Sequence, residues 1–252
     1  MKRIRRIVLV LVIAVGVSAS WDRSAMTEAF TSVVDAVRTS VEGVVAAPIA
    51  PLPPSAAGDK IAVLLRDVHV LSQLPDVRGY ERGCKRHEAC SFGPAWNDPQ
   101  DHSGCDTRSR ILKAQLADVV IKPKTQNCKV LSGTLHDPYT GSTVFFDAVA
   151  DPSGVQIDHV FALGRSWDAG AWTWDQQTRV KFANDPENLI AVPGAVNREK
   201  SDSGLAWLPP NRDFQCTYIA RYLAIAVKYG LSISAQDRDV AAGRCPPVSQ
   251  GA

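Results

Sequence analysis

The chain has 252 residues, of which 45% are hydrophobic, and carries a formal charge of +2. Its length and apolar content suffice for one domain of about 190 residues with accessory segments. A charge this near zero excludes long-range steering of a polyanion by net charge, so attraction to one must come from a local patch or a bound metal.

Met1 to Arg6 is basic, Ile7 to Val17 is apolar, and Val17-Ser-Ala19 supplies small residues for signal-peptidase cleavage, so residues 1–19 are read as a signal peptide and the mature protein as secreted. The apolar stretch from Ile7 to Ala19 falls short of the roughly 20 residues needed to cross a bilayer, so no stable membrane association is expected after cleavage. Cleavage removes four basic residues and leaves 24 basic against 26 acidic side chains, a formal −2. Residues 20–58 are read as a helical tether or pro-segment followed by a Pro/Ala-rich linker. Phe30, Val33, Val34, Val37 and Val41 form an apolar stripe at helical spacing, equally compatible with a helix packed on the main domain, and Ala46 to Gly58 is expected to be extended. Residues 59–247 make up the main domain, without internal repeats.

Six cysteines in an exported chain favour three disulfides, and the spacing alone leaves their pairing open. Cys84-x-x-His87-x-x-Cys90 and His102-x-x-Cys105 have spacings open to zinc, which an oxidising destination disfavours. Two strand-like runs around residues 129–149 flank a His136-Asp-Pro-Tyr-Thr-Gly141 turn and predict a hairpin in which His136 is structural. His69, His87 and His102 are read as surface residues. The apolar run Val155 to Val160 predicts a strand ending on Asp158-His159, whose side chains diverge to opposite faces unless the strand bends. A helix is expected over Ser166 to Asn184, carrying Trp167, Trp172 and Trp174 toward the core rather than toward a substrate. After a bend at Asp185-Pro-Glu, Asn188 opens an aliphatic strand over Leu189 to Val192, and Asn197 falls in a polar segment that predicts a short helix beginning near Val196. Cys216 to Tyr229, apolar nearly all round and followed by Gly230 as a stop, predicts a buried helix.

The order Asp158-His159, Asn188-Leu189 and Asn197-x-x-Lys200 resembles the ββα-metal (HNH, or His-Me finger) endonucleases. Further blocks are Gly79-Tyr80-Glu-Arg82, Gly104-Cys-Asp-Thr-Arg108, Leu131 to Gly141, Gln156 to Leu163, Phe182 to Leu189 and Trp207-Leu-Pro-Pro210. Spread over residues 60–246, they are similar to the secreted bacterial branch of the GmrSD restriction-endonuclease C-terminal domain family. The resemblance implies an α+β fold in which a ββα-metal (HNH) nuclease core is embedded in helices with a β-hairpin and stapled by disulfides. Proximity and the resemblance together favour Cys84 with Cys90, Cys105 with Cys128 and Cys216 with Cys245. The loop closed by Cys84 and Cys90 looks like a local elaboration, since members of the family it resembles usually run from the Tyr-x-Arg motif straight into Phe-Gly. A second departure is Phe145-Phe-Asp in the hairpin, where many relatives carry an arginine.

Hydrolysis of a phosphodiester requires a base for the attacking water, a Lewis acid for charge on the leaving oxygen, and donors that hold the phosphate. The resemblance assigns His159 as the base and Asp158 and Asn197 as hard oxygen ligands for Mg2+ or Mn2+. It assigns Asn188 as the amide that fixes the loop and orients the imidazole. Lys200, one turn on from Asn197, and Arg108, oriented by Asp106, are expected to hold substrate phosphate. Taken singly these residues have ordinary readings: a strand-end cap for Asp158, a turn residue for Asn188, a helix N-cap for Asn197 and an exposed lysine for Lys200. The implied function is a secreted, monomeric, metal-dependent endonuclease that cleaves DNA with little sequence specificity, with RNA left open. The competing expectations are a non-catalytic extracellular nucleic-acid-binding or cell-wall-associated module, against which the intact Asp158, His159, Asn188 and Asn197 argue, and a toxin nuclease aimed at competitors.

Overall fold

Three small sheets and a set of surrounding helices give an α+β architecture in the computed structural model, which describes residues 51–247. The expected signal peptide, the apolar stripe from Phe30 to Val41 and the expected linker up to residue 50 lie outside the described residues. Strand β1 (His69–Leu71) pairs in parallel with the late strand β7 (Ser232–Ser234). β2 (Ala117–Ile121), β3 (Val130–His136) and β4 (Thr143–Asp147) form an antiparallel sheet in that order, so the expected hairpin gains a third strand. β5 (Val155–His159) and β6 (Leu189–Pro193) pair antiparallel, with His159 opposite Leu189 and Val155 opposite Pro193.

Helix α1 (Pro54–Asp67) overturns part of the linker reading, because residues 54–58 are its first turn rather than extended chain. Proline in a first turn gives up no intrahelical hydrogen bond, and Ile61, Leu64 and Leu65 bury the helix in the main cluster. Gly58 permits a close approach: a Cβ there would stand 2.5 Å from the carbonyl oxygen of Pro246. The remaining helices are α2 (Thr107–Gln115), α3 (Leu163–Asp168), α4 (Gln176–Ala183), α5 (Gly194–Lys200), α6 (Arg212–Tyr229) and α7 (Ala235–Arg244). The single helix expected over Ser166 to Asn184 is therefore two. Gly170, at φ 133°, breaks it in a conformation that side chains disfavour, and a 3-10 turn over Ala171–Thr173 follows. Trp167 and Trp174 pack on the core as expected, but Trp172 falls in that turn and is 51% exposed. α6 starts at Arg212 rather than Cys216, capped by the Asn211 side chain, and Gly230 ends it in the left-handed conformation at φ 63°.

Period-two alternation makes the β5–β6 pair two-faced. Val155, Ile157, Leu189 and Ala191 enter a cluster with Ile111, Leu112, Leu135 and Phe146. On the other side Ile190 and Val192 enter the larger cluster, where Phe214, Tyr218 and Tyr222 of α6 lie. By the same alternation Gln156 and Asp158 share that second face, two polar side chains on an otherwise covered strand. The three disulfides are Cys84–Cys90, Cys105–Cys128 and Cys216–Cys245, the pairing favoured above, and no described cysteine is free for zinc. Among the described residues no helix is long and apolar enough to cross a membrane.

Candidate active site

β5, β6 and α5 follow one another in space as a β-β-α unit, and an open cleft of about 460 Å3 lies against it. Tyr80, Asp158, His159, Asn197, Arg198 and Asp202 are among its lining residues. Asp158 and His159 do diverge, as adjacent strand residues should. The Asp158 carboxylate is 4% exposed and accepts from Tyr139 Oη at 2.6 Å on Oδ2 and from Lys200 Nζ at 2.9 Å on Oδ1. Burial holds this carboxyl above its usual value, against the opposing pull of Lys200 and Tyr139; two donors facing its oxygens fit the ionised form. Burial and the neighbouring carboxylate hold the Tyr139 phenol well above its usual value, so it remains a donor.

The His159 imidazole turns the other way and is half-buried, with Nε2 2.9 Å from the carbonyl oxygen of Ala183, the last residue of α4. That carbonyl has no helical partner of its own and can only accept, so Nε2 carries the proton and Nδ1 is the basic atom. Trp96 stacks on the ring, the two planes within 8° and the centroids 5.7 Å apart. Burial lowers the imidazole from 6.5 to about 4; the Ala183 hydrogen bond opposes this and the charges of Arg82 and Lys200 add to it. At neutral pH the ring is an uncharged base.

Asn188 closes a 3-10 turn over Pro186–Asn188 and is fully buried. Its Oδ1 accepts from Phe161 N at 2.8 Å and its Nδ2 donates to Phe161 O at 3.1 Å. The amide therefore ties the loop leaving β5, and it makes no hydrogen bond to the imidazole. Asn197 lies inside α5, whose N-cap is Pro193, so the helix-cap reading does not apply. Its Nδ2 donates to Gln156 Oε1 at 2.8 Å, which leaves Oδ1 as the group available to a ligand.

Lys200, expected either to reach substrate or to stand exposed, is instead fully buried, with Nζ on Asp158 and, at 2.9 Å, on the His159 carbonyl. The geometry explains this. Asn197 and Lys200 are one helical turn apart and meet Gln156 and Asp158, which are two residues apart on one face of the strand. Arg108 sits at the far end of β5 from the cleft, donating to Val155 O at 2.8 Å and Pro152 O at 3.1 Å, with Phe146 beneath its guanidinium. Asp106 does not bind it: its carboxylate caps α2 at Ser109 N and pairs with Lys129. The residues missed in the sequence are Tyr139, Trp96, Gln156 and the Ala183 carbonyl. Tyr139 lies in the turn read as structural, and only its burial against Asp158 reveals the connection.

The donor set suits a hard divalent cation. Asp158 and Asn197, a carboxylate and an amide, both line the one open cleft, and Mg2+ is usually held by one or two protein oxygens with water completing the shell. Each carboxylate oxygen keeps a lone pair beyond the hydrogen bond it accepts. Among the described residues no group of three or more His, Cys, Asp or Glu side chains is arranged to hold a metal.

A buried carboxylate and a half-buried imidazole from neighbouring residues thus line one cleft beside a β-β-α unit. Residues 106–240, more than half of the chain, match the family of GmrSD restriction endonucleases, C-terminal domain, and the chain belongs to that family. The matched span starts at the cap of α2 and contains Asp158, His159, Asn188 and Asn197. A protein of Arthroderma benhamiae described as an uncharacterized secreted protein is 35% identical over 137 residues, which make up 53% of this chain and 63% of that one. The match thus covers less than two thirds of that relative's length. No solved structure matches the chain.

Proposed function

We propose that the protein is a secreted, metal-dependent endonuclease that hydrolyses phosphodiester bonds of DNA, with RNA as a second candidate substrate, on an HNH-type unit formed by β5, β6 and α5. The observation that carries this reading is the fixed tautomer of His159, whose Nε2–H is committed to Ala183 so that Nδ1 is the basic atom, on a residue that lines the same cleft as Asp158 and Asn197. Membership of a restriction-endonuclease family supports a nuclease-related function, and the description of the Arthroderma benhamiae relative as secreted supports export.

Mg2+ or Mn2+ held by Asp158 and Asn197 would supply a Lewis acid for the charge on the leaving oxygen. The side chains do the rest. As a water oxygen attacks phosphorus, Nδ1 of His159 takes its proton; the phosphorus–oxygen bond to the leaving group breaks, the leaving alkoxide takes a proton from solvent, and the imidazolium returns its own to water. Trp96 and Ala183 hold the ring plane while this happens, and Lys200 and Tyr139 hold Asp158.

One observation favours a second reading, a nucleic-acid-binding module without turnover: both Asp158 oxygens already accept hydrogen bonds within the protein. A plasmid-nicking assay on the mature chain with Mg2+, Mn2+ or excess chelator separates the readings. Nicking confined to the metal-containing reactions is expected. Undiminished cleavage in chelator would overturn the metal assignment, and retention of DNA without nicking in any metal would favour the second reading.

A further inference from the structure

Of the cations expected to hold substrate, Lys200 is buried on Asp158 and Arg108 is bonded to two backbone carbonyls at the far end of β5. A site for a phosphodiester still needs a cation, because the chain without residues 1–19 carries −2 and the Asp202 carboxylate also lines the cleft. Arg198 is the one permanently charged cation among the residues lining it. Two residues from Lys200, it lies about 200° around α5, so the burial that turns Lys200 inward turns Arg198 outward. Among the described residues its guanidinium has neither an ion pair nor a hydrogen bond. It folds back along the first turn, where Nη1 would stand 3.1 Å from a Cβ at Gly194, beside the Gln156 amide that orients Asn197.

We propose that Arg198 is the phosphate-binding side chain of this cleft. Its planar fork, beside Asn197 and the Gln156 amide on a helix that lines the cleft, would take two non-bridging oxygens of the phosphodiester, a geometry that a lysine ammonium does not reproduce. Asp202 on the same cleft repels a phosphate displaced toward it, which favours one orientation of the strand. The proposal rests on the nuclease reading for the identity of the ligand. Arg198 is exposed, so its substitution leaves the core intact.

The test is equilibrium binding of a fluorescent duplex oligonucleotide to His159→Ala protein, with and without Arg198→Ala, across a salt series in chelator. Loss of Arg198 should weaken binding about tenfold and make the dependence of log K on log salt shallower by about one. Arg198→Lys should keep the salt slope and recover only part of the affinity. In the chain with His159 intact, Arg198→Ala should raise KM with kcat within about threefold, the pattern of a contact made equally before and during the reaction. An unchanged slope with Kd within about twofold overturns the proposal, as does the absence of saturable DNA binding in the parent. If the parent binds DNA but no chain nicks it with any metal, the nuclease reading fails while the salt slope still decides the role of Arg198.

Discussion

At His159 a backbone carbonyl decides which nitrogen is chemically useful, and burial decides the pH at which it is available. The Ala183 oxygen fixes the proton on Nε2, and burial brings the ring down to about 4, so Nδ1 is free throughout the neutral range. His159→Ala should therefore reduce nicking by about 10²-fold or more, the scale of a positioned general base, with the fold retained by circular dichroism. Activity within about threefold of the parent would make the residue structural. The depressed value also has a consequence for stability. The unfolded chain binds a proton on this ring near pH 6.5 and the folded chain only near 4, so stability present above 6.5 is lost as the pH falls between those values. Urea midpoints of metal-free protein measured from pH 7 to 4 should fall more steeply for the parent than for His159→Asn. Parallel slopes would show that the ring is not held neutral by the fold.

Between elements, the contact that matters most is β5 against α5, where Gln156 and Asp158 meet Asn197 and Lys200. Replacing Lys200 by Met keeps the helix and the volume but strands a buried carboxylate, a change that typically costs 3–5 kcal/mol. Urea denaturation should show a loss of about that size, and a loss below about 1 kcal/mol would mean that Asp158 is solvated or protonated without its partner. This same contact marks the limit of sequence reading. The period-two run from Val155, the aliphatic run after Asn188 and the polar segment around Asn197 were legible as strand, strand and helix because each obeys a local periodicity. The burial of Lys200 was not, since an i, i+3 relation to Asn197 states a shared face without stating whether solvent or a strand covers it. Tyr139 was hidden for a similar reason: its sequence context is a turn, and a long-range approach to Asp158 brings it into the site. Gly170 was misjudged within an otherwise helical composition because nothing in a single glycine announces a positive φ. The disulfides were recoverable because short spacing and the family pattern agree.

For the molecule as a whole, the distribution of charge bounds how the proposed nuclease can hold its substrate. From Val155 to Gly230 eight Lys and Arg residues are matched by eight Asp and Glu, and several of the cations are committed internally: Lys200 to Asp158, Arg165 to Asp237 and Lys228 to Asp185 and Glu187. The edge strand β4 presents Phe145 at 68% exposure, with Val149 at 83% just beyond it. No extended basic stripe of the kind that drives tight duplex binding can be assembled from these residues. Sequence readout requires side chains placed against base edges in a groove, and the cleft beside β5 offers one guanidinium suited to phosphate rather than a helix or ribbon shaped for a major groove. Cleavage should therefore show little sequence preference. Because backbone contacts are common to every form of DNA, linear, supercoiled and single-stranded substrates should be degraded at rates within about an order of magnitude of one another. Digestion of a mixed-sequence substrate followed by end sequencing tests this directly, since a discrete recognition motif at the cut ends would show that another surface of the domain reads bases.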